Sequence, residues 1–267
     1  MMQRLPGTVP RLLYVPAVVG LALLILPIVG LIARVDLATL PEAITSPAAA
    51  DALWLSLRTG LAATLVCLVL GIPLAVVMAR SGQRLAGILR ALTTLPLVLP
   101  PMVGGIALLS LLGRNGLAGE SLAALGISIP FTTLAVVLAQ SFVALPFLVI
   151  SLEGSLRTSG TRFETVAATL GAGRWMVFRR ITLPLVWPGL LAGTVLCFAR
   201  ALGEFGATAL FAGNAQGVTR TMPLAIYTAF NGAGVTQDSA IALSLLLVVV
   251  AIVILLLMRS WRTELPK

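Results

Sequence analysis

The stretch TLGAGRWMVFRRITLPL, residues 169–185, sets two glycines, two aromatics and three arginines between apolar runs, and is itself too polar to cross a bilayer. In a very hydrophobic chain such a segment belongs outside the hydrocarbon, with structure of its own. The residues just before it, TRFETVAATL at 161–170, have the grammar of a short helix. Thr161 stands where a cap is needed, and Glu164, three residues on, would complete a capping box. Phe163, Val166, Ala167 and Leu170 share one stripe at i, i+3, i+4 and i+7 spacing, which is an apolar face to bury. Gly171 and Gly173 end that helix and let the chain turn. RWMVFRR then restarts a basic aromatic segment, with Trp175 and Phe178 on one side and Arg174, Arg179 and Arg180 at an interface, before Pro184 enters the next apolar run. The spacing predicts helix, turn, helix over 161–180. Periodicity alone leaves two occupants for its apolar face: lipid headgroups under the chain's own bundle, or a docked protein.

Outward from this segment, 59% of the 267 residues are hydrophobic and 10% charged, and the mean hydropathy is +1.07. That is more apolar surface than a soluble domain hides, and several runs reach the roughly 20 residues a membrane-crossing helix needs. Spans are expected at 12–33, 55–79, 91–112, 129–151, 184–211 and 238–258, forming one all-α domain over 1–267 with too little polar sequence for a sizeable soluble domain. A closed barrel would need many short alternating segments instead.

Six crossings put both ends on one side, and the charges choose which. Arg4 and Arg11 precede the first span; Arg80, Arg84 and Arg90 follow the second; Arg157, Arg162, Arg174, Arg179 and Arg180 follow the fourth; Arg259, Arg262 and Lys267 follow the last. The alternate loops carry mainly Asp36, Glu42, Asp51, Arg114, Glu120, Arg220 and Asp238. By the positive-inside rule both termini are cytoplasmic, and the net charge of +9 describes topology. Arginines spread over alternating loops do not make a nucleic-acid surface. The first apolar segment is long for a secretion signal and continues into the six-span pattern, so an uncleaved first span is expected, with SPAAADA at 46–52 a weak processing site.

Catalytic chemistry finds no foothold. Cys67 and Cys197 fall inside apolar spans, histidine is absent and the acids are scattered, so neither a metal site nor a disulfide framework is expected. Without GxxxxGK followed by Ser or Thr, Gly171 and Gly173 do not belong to a nucleotide-binding loop.

The segment from Thr165 to Pro184 resembles the cytoplasmic signature of binding-protein-dependent ABC transporter permeases: Glu-Ala-Ala, three residues, Gly, nine residues, Ile, one residue, Leu-Pro. Ala167, Gly171, Ile181, Leu183 and Pro184 match, while Thr165 and Val166 stand where the glutamate and first alanine belong. Glu164 is adjacent but about 100° away around a helix. TTLPLVLPPMVGG at 93–105 and FARALGEFGATALFAGN at 198–214 resemble the molybdate and tungstate branch, related to the sulfate permeases. The resemblance implies a MetI-like, type I importer bundle of six helices that catalyses no reaction and binds no cofactor itself. It implies a second permease copy, two cytoplasmic ABC ATPases that use ATP and Mg, and an extracytoplasmic oxyanion-binding protein. Thr161, Phe163, Glu164, Thr165, Val166, Ala167, Leu170, Gly171, Arg174, Trp175, Ile181, Leu183 and Pro184 would form the ATPase-coupling region, in the cytoplasmic membrane of a bacterium or archaeon. A sulfate or thiosulfate ABC permease is the alternative within the family, and an ion-coupled secondary transporter and a non-transporting scaffold are the alternatives of other classes.

Arg200 and Glu204 are expected to be the charged residues inside the spans, neighbours at i, i+4. They form either a self-satisfied pair or part of the translocation path, with Arg200 the better partner for an anion. Gly203, Gly206 and Ala207 allow close helix approach, and the resemblance assigns Gly203, Glu204, Phe205 and Gly206 to a gate. Pro96, Pro100 and Pro101 predict a bend in the third span, as a fixed kink or a hinge.

Overall fold

The computed structural model describes residues 10–232 and 237–260; Arg4, Arg262 and Lys267 of the charge pattern lie outside the described residues. The described residues form helices joined by short turns, without strands. The first helix, α1 (Tyr14–Ala33), is apolar on all sides and has no buried residue, so in water it would have nowhere to stand. A short α2 (Leu40–Thr45) leads to α3 (Pro47–Arg80), the longest helix at 34 residues. Ser46 starts α3 by accepting the Ala49 N–H at 3.2 Å, with Pro47 in the first turn where its missing donor costs nothing.

Next come α4 (Gln83–Val98), α5 (Pro101–Leu112), the short α6 (Gly119–Ala124) and α7 (Thr133–Ser159). Thr132 caps α7 through the Ala135 N–H at 3.2 Å. Helix α7 is the central post, packed against α3 on one side and α11 (Trp187–Leu202) on another. Ala63, Cys67, Ala144, Leu148, Cys197 and Ala201 belong to the buried core of that contact. Small residues let the helices approach closely, which is how apolar helices associate where lipid removes the hydrophobic drive. Polar links cross the same contact: Ser141 donates its hydroxyl to the Ala63 carbonyl at 3.4 Å. Near the start of α3, a second core gathers α13 (Met222–Phe230) and α14 (Gln237–Ser260), and the Met222 N–H donates to Ser56 Oγ at 2.7 Å.

The helices α1, α3 and α7 are each long and apolar enough to cross a membrane. Two of the expected spans are broken. In place of one helix over 91–112, α4 and α5 meet at 112°, because Pro100 and Pro101 supply no amide hydrogen and the residue before each proline is pushed out of helical geometry. The bend falls at Leu99 and Pro100, while Pro96 stays inside α4. In place of one helix over 184–211, the stretch Arg174–Leu185 turns by 72° into α11, which stops at Leu202 before a short α12 (Gly206–Phe211). Helix α3 begins at Pro47 rather than 55 and α7 runs to Ser159 rather than 151, so Arg157 is helical, not part of a loop.

The α5 and α12 contact explains why both carry glycine. A methyl group on Gly105 would stand 2.9 Å from the Ala207 carbonyl oxygen, and one on Gly206 would stand 2.9 Å from Pro101 Cβ. This packing seats α12 beside the proline bend.

Candidate functional site

The loop end of the bundle is built around α8 (Arg162–Thr169). Its end is a Schellman closure: the Gly171 N–H donates to Ala168 O and the Ala172 N–H to Ala167 O, both at 3.0 Å, with Gly171 at φ +84°. The chain continues through α9 (Arg174–Val177), a π-helical turn (Phe178–Thr182) and α10 (Leu183–Leu185). Trp175 and Phe178 stack with their ring centres 5.5 Å apart.

The start of α8 departs from the expected capping box. Thr161 makes no capping hydrogen bond and Glu164 does not reach back to it. The Glu164 carboxylate instead pairs with the Arg80 guanidinium at the end of α3 and accepts the Thr182 hydroxyl at 2.8 Å. A charged, forked donor outcompetes a neutral backbone amide for a carboxylate. Thr165, in the position of the signature glutamate, is exposed and turns its hydroxyl back to Thr161 O at 2.9 Å.

The apolar stripe of α8 is bare. Phe163 and Val166 are exposed, Leu170 is 83% exposed and Trp175 is 72% exposed, with only Ala167 half-buried. Beside them a groove of about 780 Å³ runs between the end of α3, α8 and the π turn, lined by Val76, Arg80, Glu164, Ala168, Arg174 and Phe178 among others. Ile181 and Leu183 are half-buried at the edge of the bundle, and Pro184 is exposed.

The second group lies at the far end of α11, about 24 Å away along a helix of 16 residues. Glu204 follows the last turn of α11 and is fully buried. Its Oε1 accepts the Ala207 N–H at 2.8 Å, closing the first turn of α12. Its Oε2 lies 2.7 Å from Arg200, an ion pair off the line a hydrogen bond requires. The Arg200 side chain stays 26% exposed. Phe205 packs on Tyr227 with ring centres 5.0 Å apart, Gly203 is exposed and Gly206 abuts Pro101. Pro101, Glu204 and Gly206 therefore come together, apart from the α8 surface.

Arg200 and Glu204 are not the sole charges within the long helices. Glu153 of α7 is buried and accepts from Arg90 of α4 and from Arg157, whose Nε lies 2.8 Å away. Arg157 also donates to the Met78 carbonyl of α3 at 3.2 Å, so the Glu153 and Arg157 pair ties α7 to α4 and α3. The i, i+4 spacing of Glu153 and Arg157 is the signal the sequence carries, and it lies beyond a span expected to end at 151. Arg58 lies exposed within α3. At the opposite end of the bundle from α8, Arg220 donates through Nε to Asn214 Oδ1 at 2.8 Å, and Asn214 donates to Thr228 at 2.9 Å.

Residues 71–263 match the family described as binding-protein-dependent transport system inner membrane component. The molybdenum transport system permease protein ModB of Mycobacterium bovis is 56% identical over 243 residues, covering 91% of this chain and 90% of that protein. The ModB protein of Escherichia coli K12 is 42% identical over 218 residues, covering 81% of this chain and 94% of its own. A crystal structure of a bacterial ABC transporter involved in the import of the acidic polysaccharide alginate superposes with a TM-score of 0.68 at 19% identity, covering 96% of both chains.

Proposed function

Because the chain belongs to the family of binding-protein-dependent transport system inner membrane components, and has the all-α fold of ABC importer permeases, we propose that it is the permease subunit of an ATP-driven oxyanion importer. The cargo is molybdate or tungstate, on the names of relatives that align with most of its length. The chain works as a pair in the cytoplasmic membrane with both termini in the cytoplasm. It receives the oxyanion from an extracytoplasmic binding protein and is driven by two cytoplasmic ATPase subunits. ATP and Mg act on those subunits, and this chain breaks no bond.

The observation that carries this reading is the bare face of Phe163, Val166 and Leu170 on a helix closed at its end by Gly171. A short helix with satisfied backbone bonds transmits displacement, whereas an irregular loop absorbs it. Leu170 lies nearest the turn, and docking it removes an apolar side chain from water, worth about 1.5–3 kcal/mol.

Vesicles holding the complete complex test the proposal. Labelled molybdate and tungstate are expected to accumulate only with ATP and the loaded binding protein, with sulfate following when its own binding protein is supplied. Uptake sustained by an ion gradient without the ATPase would make the chain a secondary transporter. An assembled complex that moves none of the three would make it a scaffold. Leu170→Asp, which disturbs no buried contact, should reduce ATPase recovered with the permease by about tenfold or more.

A further inference from the structure

We propose that Glu164 is a positioning residue which works inside the permease rather than against the ATPase: it braces the docking helix α8 to two membrane helices at once. The inference rests on the permease reading above and assigns that surface its internal linkage. Glu164 projects from α8 away from the bare stripe of Phe163, Val166 and Leu170, and its side chain is 19% exposed. One oxygen, Oε1, serves both partners. Arg80 is the last residue of α3, and Thr182, itself buried, closes the π turn that leads through α10 into α11. Helices α3 and α11 make the most extensive packing against α7.

Along the chain α8 connects to α11 through the turn at Gly171 to Gly173, α9, the five-residue π segment and α10. That path is a series of short pieces joined by a turn and by a π segment that departs from regular i→i−4 hydrogen bonding. With the brace, a displacement of α8 acts on the end of α3 through the Arg80 Nη2 contact and on the entry to α11 through the Thr182 hydroxyl, by a route that does not run through the turn. Partly exposed ion pairs contribute little to equilibrium stability. The value of this one lies in geometry, and its loss should be read in coupling.

In the reconstituted complex, Glu164→Ala and Arg80→Ala should still recover the ATPase, because the bare stripe of Phe163, Val166 and Leu170 is untouched. Oxyanion uptake and the stimulation of hydrolysis by loaded binding protein should fall about fivefold or more. Glu164→Gln keeps an acceptor for Thr182 and Arg80 and should restore part of both. Amide hydrogen exchange over 162–169 in the full-length permease alone reads the brace independently of transport, and should quicken in both alanine variants. Unchanged exchange and unchanged uptake overturn the brace. Loss of ATPase recovery in Glu164→Ala overturns it differently, by making the carboxylate a direct contact. A complex that transports nothing in its unaltered form removes the permease reading, while the exchange result still decides whether α8 is braced.

Discussion

Gly171→Pro is expected to leave the permease inserted and its bundle intact while cutting coupled transport by at least about tenfold, an effect set by backbone geometry alone. Gly171 sits at φ +84°, a value closed to proline, and its N–H makes one of the two hydrogen bonds that finish α8. Proline fixes φ near −65° and removes the donor, at a local cost of about 3 kcal/mol or more. No neighbour lies within 4 Å of the position a side chain would take, so the damage does not spread into packed core. What changes is the direction in which α8 leaves the turn, and with it the placement of Phe163, Val166 and Leu170. Gly171→Ala keeps the amide and has open space for its methyl group. It meets only the penalty of a left-handed backbone, about 1–2 kcal/mol, and should lose a few-fold. Membrane insertion, ATPase recovery and hydrolysis stimulated by loaded binding protein would be measured together. Normal stimulation in the proline variant would refute the coupling role of this turn.

Legibility in the sequence followed the range of the interaction. Helix α8 lies at Arg162–Thr169, inside the segment marked by the Phe163, Val166 and Leu170 stripe, because a 3.6-residue period is local information. The Schellman closure at Gly171 is equally local. The capping box was local grammar overruled from a distance: Arg80 is 84 positions from Glu164, and nothing near residue 164 announces a guanidinium. Glu153 escaped for a related reason, since a carboxylate near the end of an apolar run reads as loop until Arg90, 63 positions away, is seen to satisfy it. The broken spans show a third limit. Pro100 and Pro101 announce a bend, but its size of 112° depends on how α5 seats against α12 through Gly105 and Gly206. Hydropathy counts apolar residues along a line and is blind to such a fold-back.

Glu204→Ala is expected to lower the unfolding temperature of the purified permease by about 8 °C and to reduce oxyanion uptake by about tenfold. Two losses combine. The buried carboxylate closes the first turn of α12 through the Ala207 N–H, a cap worth about 1 kcal/mol. It also neutralises Arg200, and removing one member of a buried pair costs about 3–5 kcal/mol when the other stays dry. The rest of the chain leaves 26% of the Arg200 side chain uncovered, so the charge is not wholly enclosed and the combined cost comes down to about 3 kcal/mol. Uptake falls further than stability because α12 is what seats against Pro101 beside the bend of α4 and α5. Glu204→Gln separates the two roles, since its amide oxygen still accepts from Ala207 while the charge is gone. It should regain the capping share of stability yet leave Arg200 unopposed, so that a divalent oxyanion is held longer and maximal uptake stays low while half-saturation moves to lower concentration. If Glu204→Gln instead shows the half-saturation of the unaltered chain, Arg200 does not face the anion, and the pair serves only to set α12 on α11.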